Sequence, residues 1–245
     1  VCCQVLNAGD YTVIDNPRTW NPGLVQASDH TQSGTRMLVV DGVAGIKCWQ
    51  QSVNLQPNTT YGFRFWWLYL DPAHQTAPDL SVQFLSGSTW QTAFSVQLPA
   101  TVDGIWRSSQ FAFNSQNTTS LTIRIIDNTG AQNGNDFALD DMELSLCAAP
   151  VVDPIRVFTQ YLLVLGWTNV NMTVQASGSL LSYQWRRNGV PLVDGTIPSS
   201  STISGATTSS LLIRGAQWTD SGVYDCVVSS PCGSTVSNWR YVSVR

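Results

Sequence analysis

Few side chains in this chain could do chemistry, and their spacing limits what they can do. The densest acidic group is Asp140, Asp141 and Glu143, within "FALDDMELSL". Along a strand, successive side chains point to opposite faces, so Asp140 and Asp141 are expected to diverge. Two diverging carboxylates cannot flank one scissile bond as acid and base. No G-x-S-x-G elbow, H-E-x-x-H pair or glycine-rich phosphate loop occurs. The two histidines, His30 and His74, lie far from any cysteine, and no two cysteines have the two-residue gap of a zinc site. The expectation is a protein that is not an enzyme.

The tryptophans offer a different chemistry, because an indole can stack on a pyranose while nearby guanidinium and amide groups bind its hydroxyls. In "YGFRFWWLYL", residues 61–70, alternation puts Tyr61, Phe63, Phe65, Trp67 and Tyr69 on a core face and Arg64, Trp66, Leu68 and Leu70 on the other. The second face needs a cover, and cover by protein (a loop, another domain or another copy) is expected over cover by sugar. Arg64, Trp66 and Leu68 are accordingly the candidate carbohydrate or protein interface. Trp185 and Trp218 are expected in core or corner positions.

Six cysteines in or beside strand-like segments suit an oxidising, extracellular or cell-surface setting. Cys226 and Cys232 flank "VVSSP" and are expected to face each other across a hairpin. Cys2 and Cys3 point to opposite sides of one strand and should take different partners, leaving Cys48 and Cys147 for them. Charged residues make up 11% of the 245, and the net charge is -4 with scattered Lys and Arg, which argues against nucleic acid and anionic membrane as partners. No apolar run approaches the roughly 18 residues of a membrane span. The start at Val1-Cys2-Cys3 is expected to be that of a processed, mature chain.

These residues must be carried by strands. "GIKCWQQSV", "YGFRFWWLYL", "LSVQFL", "SSQFAF" and "SLTIRII" recur between turn clusters such as "LQPNTT" and "NTGAQNGND". A second series, "VNMTVQA", "LSYQWRRNG", "SSLLIRGA" and "GVYDCVVSS", follows the proline-marked "CAAPVVDP". Asn188-Gly189 marks a two-residue hairpin turn. The expected architecture is all-β, with two tandem β-sandwich domains: residues 1–147, a linker at 148–154, and residues 155–245.

The second series resembles the immunoglobulin-like domains of bacterial surface proteins, through "YQWRRNGVPL", "SLLIRGAQWTDSGVYDC" and "CGS". The resemblance implies Trp185 in the inter-sheet core and a Tyr224 hydroxyl that ties a corner to nearby backbone. "MTVQAS" offers no cysteine for an inter-sheet bridge, which favours the local Cys226 to Cys232 pairing. The first series is similar to jelly-roll modules of the carbohydrate-binding type, through "CWQQSVNLQPNTTYGFRFWW", "GIWRSSQFAFNSQNTTSLTIRIIDN" and "GNDFALDDMELS". That likeness implies a structural calcium near Asp140 and Asp141. The reading from the residues alone is that an Asp here caps backbone N–H groups. Asn58, Asn117 and Asn171 open N-x-S/T sequons and are possible glycosylation sites.

Strand-like sequence at both ends could complete a neighbour's sheet. The expected function is therefore a non-catalytic structural or adhesive subunit that self-associates into a homopolymer. A carbohydrate-binding module with an immunoglobulin-like spacer is the alternative.

Overall fold

The computed structural model describes residues 8–31, 34–74, 76–130, 134–153, 161–196 and 201–245. The chain divides into two compact units, Val1–Leu144 and Ser145–Arg245. Both are built almost wholly of β-strands, as tandem β-sandwiches.

The first unit carries β1 (Tyr11–Ile14), the short helix α1 (Pro17–Trp20), β2 (Met37–Val40), β3 (Lys47–Asn54), β4 (Thr60–Tyr69), β5 (Asp79–Ser86), β6 (Thr89–Gln97), β7 (Arg107–Asn114), β8 (Ser120–Asp127) and β9 (Phe137–Leu146). One sheet has the order β1-β2-β9-β4-β7 and the other β3-β8-β5-β6. Alternation along β4, β5 and β8 sends Phe63, Phe65, Trp67, Leu80, Val82, Ile123 and Ile125 between the sheets. The Trp67 indole donates to Ser109 Oγ at 3.1 Å, so its polar edge is satisfied inside the core.

The other face of β4 is covered by the same chain. Leu68 and Leu70 are fully buried with Leu24, Met37, Val39 and Ala138, flanked by Trp20, Val25, Ala27 and Trp106. The covering segment is pinned by Val25 N–H to Leu70 O (3.0 Å) and by the Trp106 indole to Ser28 O (2.9 Å). Fully burying a leucine contributes about 1.5–3 kcal/mol. Leu68, expected in an interface, is thus a core residue of its own unit, because a segment with little regular structure lies across the outer face.

The second unit carries β10 (Val151–Val152), β11 (Tyr161–Val164), β12 (Val170–Thr173), β13 (Ala176–Ser177), β14 (Ser182–Arg187), β15 (Val190–Pro191), β16 (Gly195–Thr196), β17 (Thr202–Ser204), β18 (Ser210–Arg214), β19 (Gly222–Ser230), β20 (Gly233–Val236) and β21 (Arg240–Val244). Sheet β12-β18-β17-β16 accompanies β11-β21-β19-β14-β15, with β20 paired to β19. Trp185 is buried beside Cys226 in register and donates to Thr208 O. Tyr224 donates its hydroxyl to Asp220 O at 2.6 Å, closing the corner. Asn188 and Gly189 both have positive φ, 51° and 79°, as a two-residue hairpin turn requires. Trp218 takes the corner and not the core position: it opens the 3-10 turn that buries Asp220 and is itself 74% exposed.

The stretch expected as a linker is partly sheet. Val151–Val152 pair with Ala176–Ser177, and Asp153 N–H donates to Gln175 O. Pro150 is compatible with this because it lies just before β10, where the missing N–H breaks no ladder bond.

Candidate functional site

The expected Cys226 to Cys232 bridge is replaced by Cys147–Cys232, with Cα atoms 5.7 Å apart. In the β19–β20 hairpin Val227 faces Val236 and Ser230 faces Gly233, so Cys232 sits in the turn and points away from Cys226. Cys226 is fully buried in the core, where burial pushes its thiol up to about 11. Cys147 is therefore taken and cannot serve Cys2 or Cys3, which lie outside the described residues. Cys48 is buried too, and its thiol is pushed up to about 12 by burial and then by Asp127. Neither buried thiol is poised as a nucleophile.

Asp140 and Asp141 do not diverge. Asp141 has φ 44°, which breaks the strand's alternation, and both carboxylates reach His30. Asp140 Oδ2 accepts from the His30 backbone N–H at 3.0 Å, and Asp141 Oδ2 lies 2.7 Å from His30 Nδ1. Asp140 Oδ1 also accepts from Asp141 N–H, so this carboxylate caps backbone donors. Burial raises the Asp140 carboxyl, and the two N–H donors oppose that. The His30 ring stacks on Trp66 with centroids 3.7 Å apart, and Arg64 lies 5.7 Å from the same ring while pairing with Glu143 at 2.6 Å. Arg64 and Trp66 are brought together as expected, yet the ring face that a sugar would use is occupied by an imidazole.

A different face is open. On the outer side of the four-stranded sheet, Arg124 lies 3.9 Å from the Trp90 ring centroid and donates twice to Gln83 Oε1, at 2.9 and 2.7 Å. Ser81 links Ser95 and Asn128, and Ser52 links Thr122, so hydroxyls and amides extend across the sheet. Arg124 covers one face of this half-buried ring, so stacking is left to the opposite face, while the fixed guanidinium and amide can hydrogen-bond a hydroxyl-rich ligand. The trio is assembled by the register Gln83↔Arg124 and Leu85↔Trp90, which composition and alternation do not reveal. Alternation alone could have marked Gln83 and Arg124 as outward.

The edges β1 and β3 flank a largely apolar groove of about 520 Å³ whose lining includes Tyr11, Val13, Leu38, Trp49 and Met142 together with Lys47 and Gln50. Tyr11 and Val13 are 62% and 57% exposed on the edge strand itself. Asn58, Asn117 and Asn171 are all exposed.

Residues 159–230 match the immunoglobulin domain family, so the second unit contains an immunoglobulin-like domain. No curated protein matches the chain. Among solved structures, titin M4 is 18% identical over 41% of this chain and 100% of its own, with a TM-score of 0.33. Extracellular domains 3-5 of Drosophila OTK are 11% identical over 80% and 92%, with a TM-score of 0.35. A family 16 carbohydrate binding module-2 is 21% identical over 47% and 79%, with a TM-score of 0.29. Such scores do not speak to function.

Proposed function

We propose that the protein is a non-catalytic extracellular structural or adhesive protein that self-associates, as a subunit of a surface filament or appendage. The observation that carries this reading is β1: among the described strands it pairs only with β2 at the sheet edge, Tyr11 and Val13 are exposed, and an apolar groove lies alongside. Apolar side chains on an open edge invite strand addition by another chain unless something covers them. The edge of a second copy is the occupant, and a contact of that kind that fails to close produces a filament. The disulfide supports an oxidising location, and exposed Asn58, Asn117 and Asn171 are open to glycosylation there. Among the described residues, no helix is long and apolar enough to cross a membrane.

Light scattering and negative-stain imaging of native, non-reduced protein test the reading. Regular assemblies are expected, and Tyr11→Lys with Val13→Lys should dissolve them without changing the melting temperature. A single species near 26.8 kDa at every concentration sinks the proposal.

A second reading, carbohydrate binding by the first unit with an immunoglobulin-like spacer, rests on the Arg124, Trp90 and Gln83 face. A glycan array on the full chain and on Trp90→Ala decides it. Binding that is absent from wild type, or retained by the variant, removes this face from consideration.

A further inference from the structure

The two ends of the second unit are built differently. β14 runs from Ser182, opposite Ser229, to Arg187, opposite Tyr224. The chain enters at the first end, where Ala148 N–H donates to Ser179 Oγ at 2.8 Å and Cys147 is bridged to Cys232. The turns at the other end carry Leu165, Trp167 and Trp218, which are 73%, 76% and 74% exposed. One backbone ladder holds the two tryptophan turns together: Trp167 N–H donates to Ala216 O at 2.8 Å, and Ala216 N–H donates to Thr168 O at 2.9 Å. Trp218 follows two residues after Ala216.

Trp167 also stands in backbone that a large side chain rarely adopts. Leu165–Thr168 is a tight turn, with Thr168 Oγ1 donating to Leu165 O at 2.5 Å and Thr168 N–H reaching the same oxygen at 3.4 Å. Trp167 is its third residue, with φ 66°, where such a turn ordinarily places Gly or Asn. Gly166, one position earlier, does not take the left-handed backbone. A bulky residue in this region is an outlier, and outliers of this kind cluster at functional sites.

Charge and area narrow the choice of partner. Arg214 and Arg245 are exposed at this end, and Arg245 O accepts from Gly166 N–H at 2.7 Å beside the turn. Asp220 is buried, held by Arg187 Nη1 at 3.4 Å and by Gln217 N–H at 2.8 Å. Asp225, on β19, is neutralised by Arg186 through two bonds of 2.7 Å. Cations beside exposed indoles, with the nearby carboxylates engaged, suit a surface whose outermost anions are phosphates. Two indoles present roughly 300–500 Å². A stable protein contact buries roughly 800 Å² per partner and demands a matching shape, whereas a bilayer interface demands neither.

We propose that the turns bearing Leu165, Trp167 and Trp218 form a docking tip that enters the headgroup region of a zwitterionic lipid bilayer. Indoles settle at that level, with the apolar body inward and the N–H toward water, and Leu165 adds an aliphatic anchor. Arg214 and Arg245 lie along the bilayer surface, with their guanidiniums on lipid phosphates. The net charge of -4 supplies no attraction to anionic lipid, so the indoles carry the contact and the arginines orient it. With so little apolar area the docking is peripheral and reversible. It does not depend on self-association through β1.

The test is flotation of the full, non-reduced chain with phosphatidylcholine vesicles, together with tryptophan emission in the presence of brominated phosphatidylcholine, which quenches an indole only on contact. Wild type should float with the vesicles and lose part of its emission to the brominated lipid. Trp167→Gly combined with Trp218→Ser should weaken flotation about tenfold or more and abolish the quenching. This variant should melt like wild type, since both side chains are exposed and glycine suits the left-handed position. Tyr11→Lys with Val13→Lys should still float, so loss of self-association and loss of docking are read separately. Wild type that stays at the bottom of the gradient, or a Trp167→Gly, Trp218→Ser chain that still floats, overturns the proposal. Flotation that requires phosphatidylserine and vanishes in salt gives the contact to the arginines and also overturns it. A wild type that ignores lipid but loses particle mass on the same double substitution assigns the tip to a second copy instead.

Discussion

The five-stranded sheet of the first unit turns Met37, Val39, Leu68 and Leu70 outward and buries them under Leu24, Val25 and Ala27 of the same chain. The four-stranded sheet turns Gln83, Thr122 and Arg124 outward and leaves them partly exposed. Both sheets send a full apolar row into the shared core, so the difference lies only in the outward positions. Apolar outward residues require a cover, and here the cover is local. Polar outward residues can tolerate water, and so they alone keep a face that a ligand could reach.

Substitutions at three positions sharpen that contrast. Leu68→Ala, beneath the cover, should cost about 2–5 kcal/mol in a urea melt, and Leu68→Asp should prevent the unit from folding. A cost for Leu68→Ala below about 1 kcal/mol would mean that the cover is not closely packed. His30→Ala, which removes the stack on Trp66 and the contact to Asp141, should cost about 1–2 kcal/mol and shift tryptophan fluorescence. An unchanged emission spectrum would show that the ring does not rest on Trp66. Thr122→Ala, on the open face, should stay within about 0.5 kcal/mol of wild type. A larger loss would indicate that this face too is covered.

The strands and the sandwich class were legible in the sequence because alternation and turn chemistry are local signals, whereas the Trp185 and Tyr224 positions were legible through the immunoglobulin-like resemblance. The Asn188-Gly189 turn belongs with them, since only left-handed backbone closes it so tightly. The cover over Leu68 was not legible, because residues 20–28 carry no strand periodicity and their placement depends on contacts with β2 and β9. The pairing of Cys147 with Cys232 spans 85 residues, and the hairpin register that turns Cys232 away from Cys226 appears only once β19 and β20 are aligned. The meeting of Asp140 with Asp141 at His30 depends on one residue of positive φ, which alternation excludes by construction.

The Cys147–Cys232 bridge also fixes how the second unit would respond to mechanical load. Tension applied between Cys147 and Arg245 passes through the sulfur link, so residues 148–231 form a closed loop that no pull along the chain can unravel. Only the thirteen residues after Cys232 could be drawn out, to an extended length of roughly 45 Å. Reduction of the bridge would lengthen that run several-fold, turning a short, stiff stop into a long, compliant tether.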